Sequence, residues 1–137
     1  MGVVAFHQEA KQTLEAVLPT FWGPAEKLPT RDGSVAQCAV LWPTPGVLST
    51  RADGVHASRR ADTLRVTFVG ATVLDCLAAA DKGRSALAGA RLVAAGHGSG
   101  PVGEGGFQGA DPQAEPGTDP VRVSLSIQFD AISKETQ

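Results

Sequence analysis

The stretch VRVSLSIQFD at residues 121–130 decides the fold class of this chain. Apolar residues occupy every odd position of the stretch, and polar residues occupy every even position. Successive side chains of a β-strand point to opposite faces of a sheet, so this period of two predicts a strand with one buried face. Such a strand cannot bury its apolar side alone, and the rest of the chain must supply neighbouring strands and a covering layer.

Three further segments have the composition of strands. Residues 62–70, DTLRVTFVG, alternate in the same way, with Leu64, Val66 and Phe68 on one side. Residues 34–42 are apolar at nearly every position, which is typical of a strand covered on both faces, and Pro43 and Pro45 end the segment. The sequence also predicts a shorter strand at residues 90–95.

Two segments have the spacing of amphipathic helices. Residues 3–18 carry apolar side chains at helical intervals, and Pro19 ends the helix. The second helix begins after Thr72, a residue type suited to an N-cap, and runs to about Leu87. Gly83 lies inside this helix, where glycine lowers helix propensity. The apolar stripe that we expect to face the core comprises Val73, Leu74, Leu77, Ala80 and Leu87.

Two segments lack a regular pattern. Residues 46–61 contain an Asp53-Gly54 turn signal and three arginines, which predicts a hairpin tip or flexible arm between two strands. Residues 96–119 hold eight glycines and three prolines, which predicts a loop of unusual length. The sequence does not assign a role to this glycine-rich loop.

The order of these elements predicts one α/β domain of the α+β type over residues 1–137. We expect a mixed, mainly antiparallel sheet of about four strands, with both helices packed on one face. The length of 137 residues favours a single domain.

Composition and charge restrict the classes of protein to which this chain could belong. The net charge is −2, whereas proteins that hold duplex nucleic acid tightly usually carry a basic excess. The two cysteines, Cys38 and Cys76, lie in apolar segments and are expected to be buried thiols. The N-terminal residues resemble no signal peptide, and no apolar run is long enough to span a membrane. These features predict a soluble protein made in a cytoplasm.

No catalytic or metal-binding pattern emerges from the sequence. Residues 98–103 match GxGxxG formally, but a dinucleotide-binding loop must follow a strand and open a helix, and Pro101 opposes a helix there. His7, His56 and His97 are too dispersed to suggest a metal site with the cysteines. We therefore expect a protein without catalytic residues, metal or cofactor.

Four residues are candidates for contacts with a partner. Arg51, Arg59 and Arg60 form the basic cluster of the arm, and they could contact an acidic protein surface or DNA phosphates. An ordinary solvated loop explains them equally well. Trp22, in a proline-bounded loop, could anchor an interface.

One stretch resembles a known family. The segment LRVTFVGATVLDCLAAADKGRSAL, from Leu64 to Leu87, is similar to the central part of the tail terminator (tail completion) proteins of long-tailed phages. In that family a strand ends in a turn, here Val69-Gly70, and an alanine-rich helix ends in charged residues. Those charged positions are Asp81, Lys82 and Arg84 in this chain. The flanking helix, proline-bounded strand, arm and terminal strand follow the same order.

The resemblance implies a structural virion protein of the tail and neck, assembled in the host cytoplasm. It implies a homo-hexameric ring that caps the tail tube, stops polymerisation of the tube protein and forms the joining surface for the head connector or stopper. DNA would pass through the lumen without specific binding, and no membrane would be involved.

Two alternatives remain open at this point. The chain could be another neck component, and the architecture discriminates here, since stoppers are usually small β-barrels and adaptors are helical bundles. It could also be an enzyme that binds a nucleotide or small ligand and uses the glycine-rich loop as a lid. Stabilisation against heat by such a ligand would distinguish the enzyme from a structural protein.

Overall fold

The computed structural model describes residues 2–25, 27–50, 56–94, 97–105 and 111–134. Within these ranges the chain forms two helices and eleven strands. The helices are α1 (Val3–Glu15) and α2 (Val73–Leu87). The strands are β1 (Thr20–Trp22), β2 (Thr30–Arg31), β3 (Ser34–Val35), β4 (Cys38–Pro43), β5 (Val47–Thr50), β6 (His56–Gly70), β7 (Arg91–Ala94), β8 (His97–Pro101), β9 (Gly103–Glu104), β10 (Gln113–Ala114) and β11 (Val123–Lys134).

The central pair of the sheet is β6 with β11. The two strands run antiparallel over twelve residue pairs, from Val123 opposite Gly70 to Lys134 opposite Arg59. On the far side of β6, β4 pairs with the second half of the strand and β5 with the first half. On the far side of β11 lie β8, β9 and β10. The alternating stretch that predicted a strand therefore forms the middle of the sheet.

The fold class is confirmed, but the sheet is larger than expected. Nine strands join the main sheet, and only the contact between β1 and β4 is parallel among the pairs within the described ranges. The prediction of about four strands is wrong, because the arm, the glycine-rich loop and the proline-bounded loop that holds Trp22 contribute strands of their own. β5 and the start of β6 replace most of the arm, and β8, β9 and β10 lie within the loop. Short polar and glycine-containing strands lack the apolar alternation that reveals a half-buried strand.

Both helices cover one face of the sheet. Leu64, Val66 and Phe68 of β6 point towards them, as the alternation predicts, together with Ile127 and Phe129 of β11. Side chains from α1 and α2 complete a single apolar cluster: Phe6, Ala10, Leu14, Ala79, Ala80 and Leu87. This cluster is the main core of the protein.

The helix α2 packs in a different orientation from the one expected. It begins at the expected cap, where Thr72 Oγ1 accepts a hydrogen bond from the Asp75 backbone N–H at 3.2 Å. Its buried residues are nevertheless mostly small: Cys76, Ala79, Ala80, Gly83 and Leu87. The prediction that Val73, Leu74 and Leu77 face the core is wrong, since all three are exposed.

Gly83 explains this orientation. A Cβ atom at Gly83 would lie 2.1 Å from Cε1 and 2.4 Å from Cζ of Phe68. The phenyl ring therefore packs directly on the helix backbone, and only a face of small residues permits so close an approach. The glycine that lowers helix propensity is a packing requirement at this position.

Replacing Gly83 with alanine is expected to destabilise the protein by about 1–3 kcal/mol, the usual cost of overpacking. The clash with Phe68 should outweigh the gain of about 1 kcal/mol in helix propensity. Thermal unfolding followed by circular dichroism measures the change. The control is Ser85→Ala on the exposed side of α2, which should keep or slightly raise the melting temperature. A Gly83→Ala protein that melts above the parent would contradict the close contact.

Candidate functional site

One candidate surface for a partner is a part of the sheet that is here called the strand extension. It comprises β5 with the first half of β6 and the last residues of β11, which means residues 47–50, 56–61 and 131–134. Pro43, Pro45 and Gly46 break the strand between β4 and β5, and Gly46 has a φ of +74° that favours glycine. The break directs β5 along β6, away from the part of the sheet that β1 and β4 occupy.

The strand extension exposes large apolar side chains. Val47 is 69% exposed, and Leu48 and Ile132 are also exposed. The register places Val47 opposite Ala61 and Ala61 opposite Ile132, so these three residues share one face of the sheet. The outer edge of β5 has no strand partner among the residues that the structure describes. An uncovered edge with apolar side chains is a common site of protein association.

A buried ion pair lies on the other face of the same strands. The Arg60 guanidinium contacts the Asp62 carboxylate through Nε, and its Nη2 donates to Asp62 Oδ2 at 3.1 Å. The Ser133 hydroxyl donates a further hydrogen bond to Asp62 Oδ2. Gly46 permits this packing, because a Cβ there would lie 2.9 Å from both Arg60 Cδ and Asp62 Oδ1. The network joins β6 and β11 through buried polar side chains.

The arm arginines therefore have different environments. Arg60 is 3% exposed, so the prediction that it projects from a solvated arm is wrong. Its charge is satisfied by Asp62 within the sheet. Arg59 belongs to β6, where its backbone pairs with Lys134, but its side chain is outside the described part of the structure. Arg51 lies outside the described residues. A partner contact by Arg51 and Arg59 remains a prediction.

Trp22 lies beside an apolar cavity at the first turns of α1. The residue is in β1 at the edge of the sheet, and its indole is 41% exposed. Lys11 Nζ lies 5.8 Å from the ring centroid, at cation–π distance. The cavity measures about 440 Å³ and is lined by Val3, Val4, His7, Gln8, Trp22, Pro43 and Thr44. The exposed indole agrees with an interface anchor, a role that stays a prediction.

Among the described residues that line this cavity, His7 alone is ionisable. It is 4% exposed, and its Nε2 lies 2.8 Å from the Thr44 carbonyl oxygen. Burial lowers the pKa of His7. This effect outweighs the hydrogen bond with Thr44 and the negative charge of Asp62, which both act to raise the pKa. The imidazole is therefore neutral near pH 7, and it ties α1 to the chain between β4 and β5.

The cysteines have the properties of core residues. Cys38 and Cys76 are both buried and not joined in a disulfide. Burial raises the pKa of each thiol to about 11, so both remain protonated at neutral pH. Cys76 Sγ donates a hydrogen bond to the Phe68 carbonyl oxygen at 3.3 Å. A protonated, buried thiol is a poor nucleophile and a poor metal ligand.

The glycine-rich segment does not have the geometry of a dinucleotide-binding loop. Its first residues belong to β8 (His97–Pro101), Val102 is buried in the core, and Gly103 begins β9. Strands thus occupy the positions where the fingerprint requires a helix. In the described ranges no three His, Cys, Asp or Glu side chains converge as metal ligands would. Neither described helix is long and apolar enough to cross a membrane.

Comparisons with known proteins support the fold. Neither a family model nor a curated protein matches this sequence. A solved structure of a protein whose name states no function matches 98% of this chain and 94% of its own, at a TM-score of 0.52 and 16% sequence identity. At that identity the likeness concerns the fold alone. The architecture of two helices on a large mixed sheet therefore also occurs in a solved protein.

Proposed function

We propose that this chain is a non-enzymatic structural subunit of a phage tail, a terminator that closes into a hexameric ring. The observation that carries the proposal is the strand extension, with its exposed Val47, Leu48 and Ile132 and an edge of β5 that no described strand covers. The ring would cap the tail tube, end polymerisation of the tube protein and receive the head connector. The protein would reside in the tail and neck of the virion.

The strand extension supports association because its apolar side chains face away from the core. Monomeric proteins usually leave few such side chains together on an open strand edge. A contact with a neighbouring subunit would bury these side chains and supply partners for the free edge of β5. When the contacting surfaces of each subunit differ, the subunits associate head to tail, and they close into a ring if the rotation allows it.

The described titratable groups support a structural role. The thiols are protonated, His7 is neutral and hydrogen-bonded to backbone, and Asp62 is paired with Arg60. Each of these groups therefore serves packing in the fold. The net charge of −2 supports a lumen through which DNA passes without being held.

The architecture favours a terminator over the other neck components. Stoppers are usually small β-barrels and adaptors are helical bundles, whereas this chain packs two helices on one face of an open sheet. The resemblance of residues 64–87 to tail terminators supports the same choice.

The purified protein is expected to form six-fold rings at high concentration or on the end of tail tubes. Electron microscopy of tubes assembled with and without the protein measures both symmetry and tube length. The parent should shorten tubes and cap their ends, and Val47→Asp should abolish capping because it places a charge in the contact. The control Gln12→Asp adds the same charge to the exposed side of α1 and should cap normally. Tubes that elongate unchanged with the parent protein would contradict the proposal.

A further inference from the structure

His7 is a buried histidine with one ring nitrogen bonded and the other without a partner. Nε2 lies 2.8 Å from the Thr44 carbonyl oxygen and donates to it, because a carbonyl oxygen can only accept. The Thr44 N–H is farther away, at 3.3 Å from the same nitrogen. The neutral ring therefore carries its lone pair on Nδ1, which is buried and bonded to no atom among the described residues.

A proton on Nδ1 would place a positive charge and an unpartnered donor in this site. Burying a charge is costly unless the charge is paired and hydrogen-bonded. The residue is only 4% exposed, so water does not supply the missing acceptor while α1 is in place. The charged ring is therefore favoured only where it leaves the site, and this requires α1 to move away from Thr44.

The charged groups around His7 do not compensate for its burial. Burial is the largest effect and lowers the pKa of the ring, and the Arg60 guanidinium on β6 lowers it further. The Asp62 carboxylate on the same strand acts to raise the pKa, but it is already paired with Arg60. On α1 itself, Lys11 pairs with Glu15. The described neighbours that line the cavity with His7 are not ionisable: Val3, Val4, Gln8, Trp22, Pro43 and Thr44.

The cavity beside His7 gives the ring space in which to move. It measures about 440 Å³, and His7 forms part of its wall. Val4 and Trp22 line the same cavity and are both exposed, so the cavity opens to solvent. A ring that gives up its bond to Thr44 can therefore reach water without crossing the main core.

We propose that His7 is a proton-sensitive tether, which holds the first turns of α1 on the sheet at neutral pH and weakens this attachment in mild acid. The inference does not depend on the proposed ring. Thr44 is held to the sheet by a second bond, since its Oγ1 donates to the Thr63 carbonyl oxygen at 2.6 Å. The moving part is therefore α1, and its release would uncover Phe6 and Ala10, which it buries in the core.

The direction of the pH effect follows from the lowered pKa of His7. In the released state the imidazole regains its ordinary pKa of 6.5. Above that pH both states are neutral, and protons favour neither of them. Below it the released state binds a proton that the attached state does not, so the attachment weakens by about tenfold per pH unit. The effect ends when the pH reaches the lowered pKa of the attached ring.

Denaturant unfolding at about pH 7.5 and about pH 5.5 tests the tether. The equilibrium constant for unfolding should rise between these values about five- to tenfold more in the parent than in His7→Gln. The glutamine amide can still donate to Thr44 but does not titrate. His56→Gln and His97→Gln are the matched controls, and both should keep the rise of the parent. A His7→Gln protein with the pH dependence of the parent would overturn the inference.

Nuclear magnetic resonance of the parent tests the tether without a substitution, even if His7→Gln fails to fold. The ring nitrogens should show a proton on Nε2 at neutral pH, and the ring should titrate below its ordinary pKa. Between the two pH values the amides of α1 should lose protection against hydrogen exchange, while that of Ile127 in β11 keeps it. A ring that titrates at or above the ordinary pKa, or equal loss of protection in α1 and β11, would overturn the inference.

Discussion

Replacing Ile127 with aspartate is expected to leave the chain insoluble and without a cooperative thermal transition. Ile127 lies in the middle of β11, opposite Val66 of β6, and is buried against the helices. A carboxylate there would have no cation to pair with, and burying an unpaired charge costs several kcal/mol. The stability of a whole domain is only about 5–15 kcal/mol. Soluble expression and thermal melting measure the result.

Two further variants serve as comparisons for Ile127→Asp. Leu74→Asp introduces the same charge at an exposed position and should melt within a few degrees of the parent. Leu125→Asp, at a partly buried position of the same strand, should have an intermediate effect. An Ile127→Asp protein that expresses and melts like the parent would show that β11 does not form the centre of the sheet.

Replacing Arg60 with serine is expected to cost about 3–5 kcal/mol, the usual effect of breaking a buried ion pair. The substitution leaves the Asp62 carboxylate buried without the guanidinium, while the Ser133 hydroxyl still donates a hydrogen bond to it. At about 4 °C per kcal/mol for a domain of this size, the melting temperature should fall by more than about 10 °C. Denaturant unfolding and thermal melting both measure the change.

Arg65→Ser is the matched control for this substitution. Arg65 is on the same strand but exposed, with its guanidinium 5.1 Å from the Trp42 ring centroid. Losing that contact should cost at most about 1 kcal/mol. A double variant with Arg60→Leu and Asp62→Leu should recover much of the stability lost in Arg60→Ser, because no unpaired charge remains. Equal melting of Arg60→Ser and Arg65→Ser would contradict the buried pair.

The burial of Arg60 also changes the test of the arm. Substituting all three arginines together would reduce assembly and stability at once, and the two effects could not be separated. A test of partner contact should therefore change Arg51 and Arg59 and leave Arg60 in place. We expect this pair of substitutions to impair head–tail joining, with added salt weakening joining in the parent.

The candidate surfaces were only partly predictable from the sequence. Residues 46–61 were recognised as a region for partner contacts, but a strand was not expected there because glycine, aspartate and arginine interrupt its pattern. The run Val47-Leu48-Ser49-Thr50, rich in residues that favour strands, was the available signal for β5. No signal along the chain could show which strands pair with β5, and therefore that its outer edge has no partner among the described strands.

Local patterns in the sequence are enough to locate the main helices and the longest strands. Apolar residues at every second position identify β11 and the second half of β6 as strands. Apolar residues at helical spacing identify α1 and α2, with Pro19 after the end of α1 and Thr72 at the start of α2. These signals are local, since the period of the side chains follows directly from the geometry of each backbone conformation.

The burial of individual side chains on α2 and in the strand extension depends on contacts that exist only in the folded protein. The helix α2 exposes Leu74 because Phe68 packs on Gly83. Arg60 is buried because its charge is paired with Asp62, whose carboxylate also accepts a hydrogen bond from Ser133. Ser133 lies 71 residues after Asp62 in the chain. Contacts between such distant residues leave no periodic trace in either segment, because each depends on how the two strands come together in the folded sheet.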